Sequence, residues 1–119
     1  MDKINTYEEL RSAVEANGDI LTVPTGMLRD IHGVNRLGVH VRSNISNELA
    51  GYGLAHYPVE LPDRQHAYTR IYKQGSPIAK LINAVSNPDP QTDMLLQSTV
   101  KQSNSKILDK IRELLDEEG

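Results

Sequence analysis

The stretch from Pro24 to Tyr57 constrains the fold of this chain more than any other. It reads as a short helix, a glycine-bounded turn, a longer helix and the first strand of a hairpin. In the longer helix, about Gly38 to Ala50, the apolar residues Val41, Ile45 and Leu49 fall four apart, with Leu37 one step before them. At about 100° per residue they form a single stripe. The opposite face carries His40, Ser43, Ser46 and Asn47, with Arg42 and Asn44 on its flanks. It offers hydrogen-bonding groups, a positive charge and no carboxylate. Glu48 fits least well. It projects into the stripe, where an unpaired carboxylate is costly. It therefore calls for a partner, Arg29 or Arg11, or for a helix rotated by some tens of degrees.

The 119 residues point to one domain with a small appendage, and a chain of this size can bury only a modest core. With no Phe and no Trp, that core must come from Leu, Ile, Val and Met. The absence of Cys removes disulfides, thiolate catalysis and cysteine-ligated zinc, and fits a reducing compartment. The segment MDKINTYEEL has no apolar run of the signal-peptide kind, and no stretch approaches the ~18 apolar residues of a membrane span. A soluble cytoplasmic protein without a membrane partner is expected. Net charge is −3, against a generally basic nucleic-acid binder. The charge is unevenly spread, however. Residues 24–80 hold seven basic side chains against four acidic ones, while both flanking segments are acidic.

Thr6 followed by Glu9 has the pattern of a capping box, and Gly18 supplies a stop, so the first helix runs from about Tyr7 to Asn17. Ile20 to Val23 is β-rich and bounded by Gly18 and Pro24, which predicts a strand. Thr25 caps a second helix carrying Met27, Leu28 and Ile31 and stopped at Gly33. After the Gly38–Ala50 helix, Leu54 to Tyr57 and Tyr68 to Lys73 read as paired strands, joined by the long loop PVELPDRQHA. Ser76-Pro77 opens a further helix. SNPDPQTD is an elbow, Met94 to Val100 is helical, KQSNS is a polar break, and KILDKIRELLDEEG is an amphipathic helix.

The order helix, strand, helix, helix, strand, long loop, strand over about Tyr7 to Lys73 resembles a winged helix-turn-helix domain. The expected fold is α+β: a winged helix over residues 1–75 with a helical extension over 76–119. The resemblance implies a recognition helix, here Gly38–Ala50, that enters a DNA major groove. It implies a wing, here Val59 to Ala67, on the backbone or minor groove. Small modules of this kind occur in transcriptional regulators and DNA-modification systems. The residues expected at duplex DNA are Arg36, His40, Arg42, Ser43, Asn44, Asn47, Arg64, His66 and Arg70. Arginines would meet phosphates, and Ser43, Asn44 and Asn47 would reach base edges. The acidic total and near-neutral wing sustain an alternative, a winged helix that docks a protein. DNA binding would require Arg36, Arg42, Arg64 and Arg70 to share a surface, whereas docking would leave an apolar patch there.

Other chemistry finds little support. Four of the five tyrosines lie between residues 52 and 72, where stacking on unpaired bases competes with the ordinary preference of tyrosine for strands. The strand preference is favoured. His56 and His66 with Glu60 or Asp63 match no metal spacing, and no cofactor is expected. Gly51-Tyr52-Gly53 lacks the third glycine of a dinucleotide fingerprint, and Ser76 to Lys80 is one residue too long for S-x-x-K. Glu8 and Glu9 are adjacent on a helix and diverge by about 100°. No enzyme is expected. In the last helix Ile107, Leu108, Ile111, Leu114 and Leu115 form an apolar face, less than two heptads long, that either packs back on the domain or pairs with its copy in a homodimer.

Overall fold

The computed structural model describes residues 3–118, with side chains for all of these except 103–108, 110 and 114–118. The chain is mixed α+β. Its elements are α1 (Tyr7–Ala16), β1 (Ile20–Pro24), α2 (Thr25–His32), α3 (Val39–Gly51), β2 (Leu54–Tyr57), β3 (Tyr68–Lys73), α4 (Pro77–Ser86) and α5 (Pro90–Glu118). The strands form one antiparallel sheet in the order β1-β3-β2. Two compact units are present, Met1–Ala79 and Lys80–Gly119, so the division falls inside α4 rather than ahead of it.

In the first unit α1 begins as its sequence requires, with the Glu9 N–H donating to the Thr6 hydroxyl oxygen at 3.1 Å. Its inner side buries Leu10 and Val14. Burial alternates from Tyr68 to Ile71 along β3, where Thr69 and Ile71 face inward, and the register places Val23 and Leu21 of β1 opposite them; Tyr72, on the outer side, is also buried. Leu28 of α2, Ile45 and Leu49 of α3 and Leu54 of β2 close the core. Each of these leucines and isoleucines is almost wholly removed from water, a contribution of roughly 1.5–3 kcal/mol apiece. Leu, Ile and Val thus build the core, with Met27 and two tyrosines, Tyr7 and Tyr52, packed at its margin.

Thr25 does not cap α2. It is the first residue of the helix, with Pro24 at the cap position, and it is fully buried. Its hydroxyl donates to the Ala67 carbonyl at 2.8 Å and lies 2.7 Å from the Thr69 hydroxyl. A hydroxyl has one hydrogen, so with Thr25 donating to Ala67, Thr69 must donate to Thr25. The open N–H groups of α2 are satisfied by backbone instead: Thr25 N–H donates to Ala67 and Gly26 N–H to Gln65, at 2.8 and 3.0 Å. The approach at Gly26 is close: a Cβ there would stand 3.0 Å from the Gln65 Cβ and 3.1 Å from its carbonyl oxygen, so the loop would have to give way. At the other end of α2, Gly33 takes a left-handed φ of +77° and returns its N–H to the Arg29 and Asp30 carbonyls, the glycine stop expected.

The buried side of α3 centres on Ile45 and Leu49, with Val41 only half-buried and Glu48 exposed. The helix is thus rotated so that Glu48 leaves the stripe. Neither arginine pairs with it: Arg29 bonds Asp30 and Gln65, and Arg11 bonds Glu15.

Ser76 caps α4 as expected, accepting from the Ala79 N–H at 3.1 Å. In the second unit the elbow is real. The Asp89 carboxylate accepts from the Gln91 N–H at 2.7 Å, and α5 starts at Pro90. The break expected at KQSNS is absent, since α5 runs unbroken from Pro90 to Glu118. Lys, Gln and Ser there carry no helix-breaking constraint of the kind proline imposes. Of the apolar residues expected to dimerise, Ile111 is 47% exposed. Ile107, Leu108, Leu114 and Leu115 lie outside the described side chains.

Candidate nucleic-acid interface

Burial of Ile45 and Leu49 fixes the rotation of α3 and turns His40, Ser43, Asn44 and Asn47 outward, all exposed. These four give an uncharged or weakly basic strip of donors and acceptors. Glu48 stands beyond it towards the C-terminal end. Arg36, in the turn before α3, is also exposed, and it lines a hollow with Gly38, Asp63 and Gln65. The helix turn and the β2–β3 loop therefore meet.

That loop, residues 58–67, does not stand away from the body of the unit. Leu61 is buried in the core. The Arg42 guanidinium donates from Nε to the Leu37 carbonyl at 3.0 Å and from Nη1 to the Leu61 carbonyl at 3.2 Å. Arg29 holds Gln65 by its side chain, and the Gln65 and Ala67 carbonyls are held by α2. Arg42 thus joins α3 to the loop while keeping its charge on this side, and two of its three nitrogens are already engaged. In the same loop Arg64 is exposed between Asp63 and Gln65, and exposed His66 lies 3.3 Å from the Gln65 amide. Exposed Glu60 and Asp63 offset the arginines.

Arg70 is not part of this cluster. It is exposed on the sheet face that turns away from the core, opposite Thr22 and Tyr57. The structure therefore sets Arg36, His40, Arg42, Ser43, Asn44 and Asn47 at the turn and along α3, Arg64 exposed in the loop, His66 in a hollow with Pro24, Met27 and Arg29, and Arg70 on the sheet.

Two features escaped the sequence. The first is a chain of polar contacts from α3 to the hairpin. The His56 Nδ1–H donates to the Pro58 carbonyl at 2.7 Å, and Nε2 lies 2.8 Å from the Ser46 hydroxyl. The same hydroxyl is 3.1 Å from the Arg42 carbonyl, the back-bond of a helical serine. The pair closes α3 onto β2. Ser46 thereby leaves the free face, and both ring nitrogens of His56, paired across the sheet with Ile71, are engaged. The second is a pair of exposed valines, Val39 at 65% and Val59 at 79%. They line a groove of about 310 Å³ with Ser43, Asn47 and Leu61. Only contact between segments distant in sequence creates either feature, and no local pattern announces it.

Beneath the far end of α3, Tyr7 stacks on Tyr52 with ring centroids 5.7 Å apart, and its hydroxyl lies 2.8 Å from His32 Nδ1. Burial pushes the Tyr7 hydroxyl up to about 12, with the Glu48 carboxylate and Tyr52 adding to the effect. Such a phenol stays protonated and joins α1 to α2 through its hydrogen bond with His32 Nδ1. Among the described residues no group of three or more His, Asp or Glu is placed to hold a metal ion. Nor, among them, is any helix long and apolar enough to cross a membrane. The chain has no significant match to a known family model, a curated protein or a solved structure.

Proposed function

We propose that the first unit is a winged helix-turn-helix module that binds duplex DNA through α3, with the loop over residues 59–67 beside it. The element order and the sheet order β1-β3-β2 support the winged-helix reading. The observation that carries the DNA reading is the exposed strip His40, Ser43, Asn44, Asn47 on a helix locked by its buried face, with Arg36 exposed in the turn before it and Arg64 exposed in the loop. In this reading the arginines meet phosphates and fix register, while the asparagines and Ser43 reach base edges, Asn being suited to adenine. Arg42 acts mainly by holding the loop. With two free arginines against Glu60 and Asp63, binding is weak for one copy. Pairing of two chains through α5 would double the contacts and relieve that weakness.

A second reading, a winged helix that docks a protein on the same face, is favoured by Val39 and Val59, an exposed apolar pair beside the strip. Anisotropy titration of a labelled random duplex from about 50 mM to about 200 mM salt separates the two. Groove binding predicts an affinity in the micromolar range or weaker and a log–log salt slope of about −2 per chain, from about −0.9 per phosphate neutralised. Arg36→Ala or Arg64→Ala should lower the slope by about 1 each. Absence of salt-dependent binding at the lowest salt would overturn the DNA reading and leave the docking one.

A further inference from the structure

The tyrosines between residues 52 and 72 divide into two kinds. Tyr52 stacks on Tyr7, and Tyr72 is buried, so packing accounts for both. Tyr57 and Tyr68 are 49% and 70% exposed, and packing does not account for them. The register sets them together. Tyr57 is the cross-strand partner of Arg70, which lies two residues along β3 from Tyr68. From the other side β1 places Thr22 opposite Arg70 and Pro24 opposite Tyr68. Directly opposed residues of an antiparallel pair point to the same side, as do alternate residues of one strand. Tyr57, Tyr68, Arg70, Thr22 and Pro24 therefore form one patch, on the side away from buried Val23, Thr69 and Ile71. The two rings are diagonal neighbours, about 7–8 Å apart at the backbone, with Arg70 beside both. None of the three strands contains a carboxylate.

We propose that this face of the sheet binds single-stranded nucleic acid, Tyr57 and Tyr68 each stacking on an unpaired base and Arg70 meeting the phosphate between them. The occupant follows from the chemistry. Flat exposed rings offer a stacking surface to bases that have no partner, whereas the bases of a duplex are already stacked and paired. One arginine suits a short backbone segment and falls short of what a duplex surface demands. A wholly carboxylate-free sheet face presents nothing to repel a polyanion. The patch lies across the sheet from α3, so it does not depend on the duplex-binding reading of that helix.

The chain has no tryptophan, so its intrinsic fluorescence comes from its five tyrosines and reports stacking directly. Titration with oligothymidylate at low salt should quench that fluorescence and raise the anisotropy of a labelled oligomer. Tyr57→Thr with Tyr68→Thr keeps strand propensity and removes the rings, and should weaken binding by roughly ten-fold or more. Tyr57→Phe with Tyr68→Phe should bind nearly as wild type, because stacking requires the ring and not the hydroxyl. Arg70→Glu should abolish binding, and Arg36→Ala with Arg64→Ala should leave it unchanged. Absence of oligothymidylate binding, or binding that survives the threonine pair in a folded protein, would overturn the proposal. Loss in the Arg36/Arg64 pair equal to that in the sheet variants would also overturn it, by assigning the binding to α3. Failure of duplex binding alongside retained, tyrosine-dependent oligothymidylate binding would reject the reading of α3 and support this one.

Discussion

The two faces of the first unit use polar and aromatic residues in opposite ways. On the helical side, groups that look free in the sequence are tied down: Arg42 holds two carbonyls, Ser46 meets His56, Gln65 meets Arg29, and Leu61 is a core residue. On the sheet side, Tyr57, Tyr68 and Arg70 stand exposed. Residue type alone therefore does not separate structural from available groups. A guanidinium on the candidate recognition helix does structural duty, while tyrosines in strands, where packing is the ordinary explanation, have exposed rings. The difference lies in what the neighbouring chain supplies. The helical side faces a ten-residue loop whose carbonyls need donors, and the outer sheet face at Tyr57 and Tyr68 has no such loop over it.

The largest test of this contrast concerns the loop itself. If it is a core element rather than a free wing, Leu61→Ala should lower unfolding free energy by about 2–5 kcal/mol, as a buried leucine truncation does. Val59→Ala, two residues away and exposed, should stay within about 0.5 kcal/mol. Urea unfolding followed by circular dichroism measures both. Equal, small effects would show that Leu61 does not anchor the loop.

Arg42 gives a smaller effect of the same kind. Arg42→Ala should cost about 1–3 kcal/mol, because the Leu37 and Leu61 carbonyls lose their donor. Arg36→Ala and Arg64→Ala, at exposed positions, should be close to neutral in the same unfolding measurement. On the proposed reading of α3, a destabilised Arg42→Ala protein would lose DNA affinity for a structural reason. The two exposed arginines are therefore the cleaner probes of binding, and a stable Arg42→Ala variant would return that side chain to the set of free phosphate contacts.

Where the fold was legible in the sequence, the signal was local. The Thr6–Glu9 pattern, the Ser76 cap, the β-rich Ile20–Val23 run and the Val41/Ile45/Leu49 periodicity each rest on residues within about one or two helical turns. What was not legible depends on distant partners. Thr25 has the sequence context of a helix cap, but its acceptor is Ala67, 42 residues on, and the loop backbone does the capping. Glu48 needed no partner because a modest rotation of α3 frees it, and that rotation is set by what Ile45 and Leu49 meet across the core. At the candidate site the exposed strip of α3 followed from the stripe opposite it. The diversion of Arg42 and Ser46 followed only from where the hairpin returns.

The smallest test bears on the far end of α3. Tyr7 is held by a hydrogen bond to His32 and by its stack on Tyr52, and its hydroxyl is raised to about 12 chiefly by burial. In the unfolded chain the same phenol ionises near about 10. Between these values the unfolded state has released a proton that the folded state still holds, so stability falls as pH rises from about 10 to about 12. Below about 10 the contribution is complete. Tyr72, also raised by burial, adds to the loss in the same direction, so the informative quantity is the difference between wild type and Tyr7→Phe. The variant should lose about 0.5–1.5 kcal/mol at neutral pH, where it lacks the bond to His32. It should then show a shallower alkaline decline, so that the two stability curves converge as pH approaches about 12. Parallel curves across that range would mean that Tyr7 titrates alike in both states, and that its ring is held by stacking without the protonated hydroxyl bridging α1 to α2.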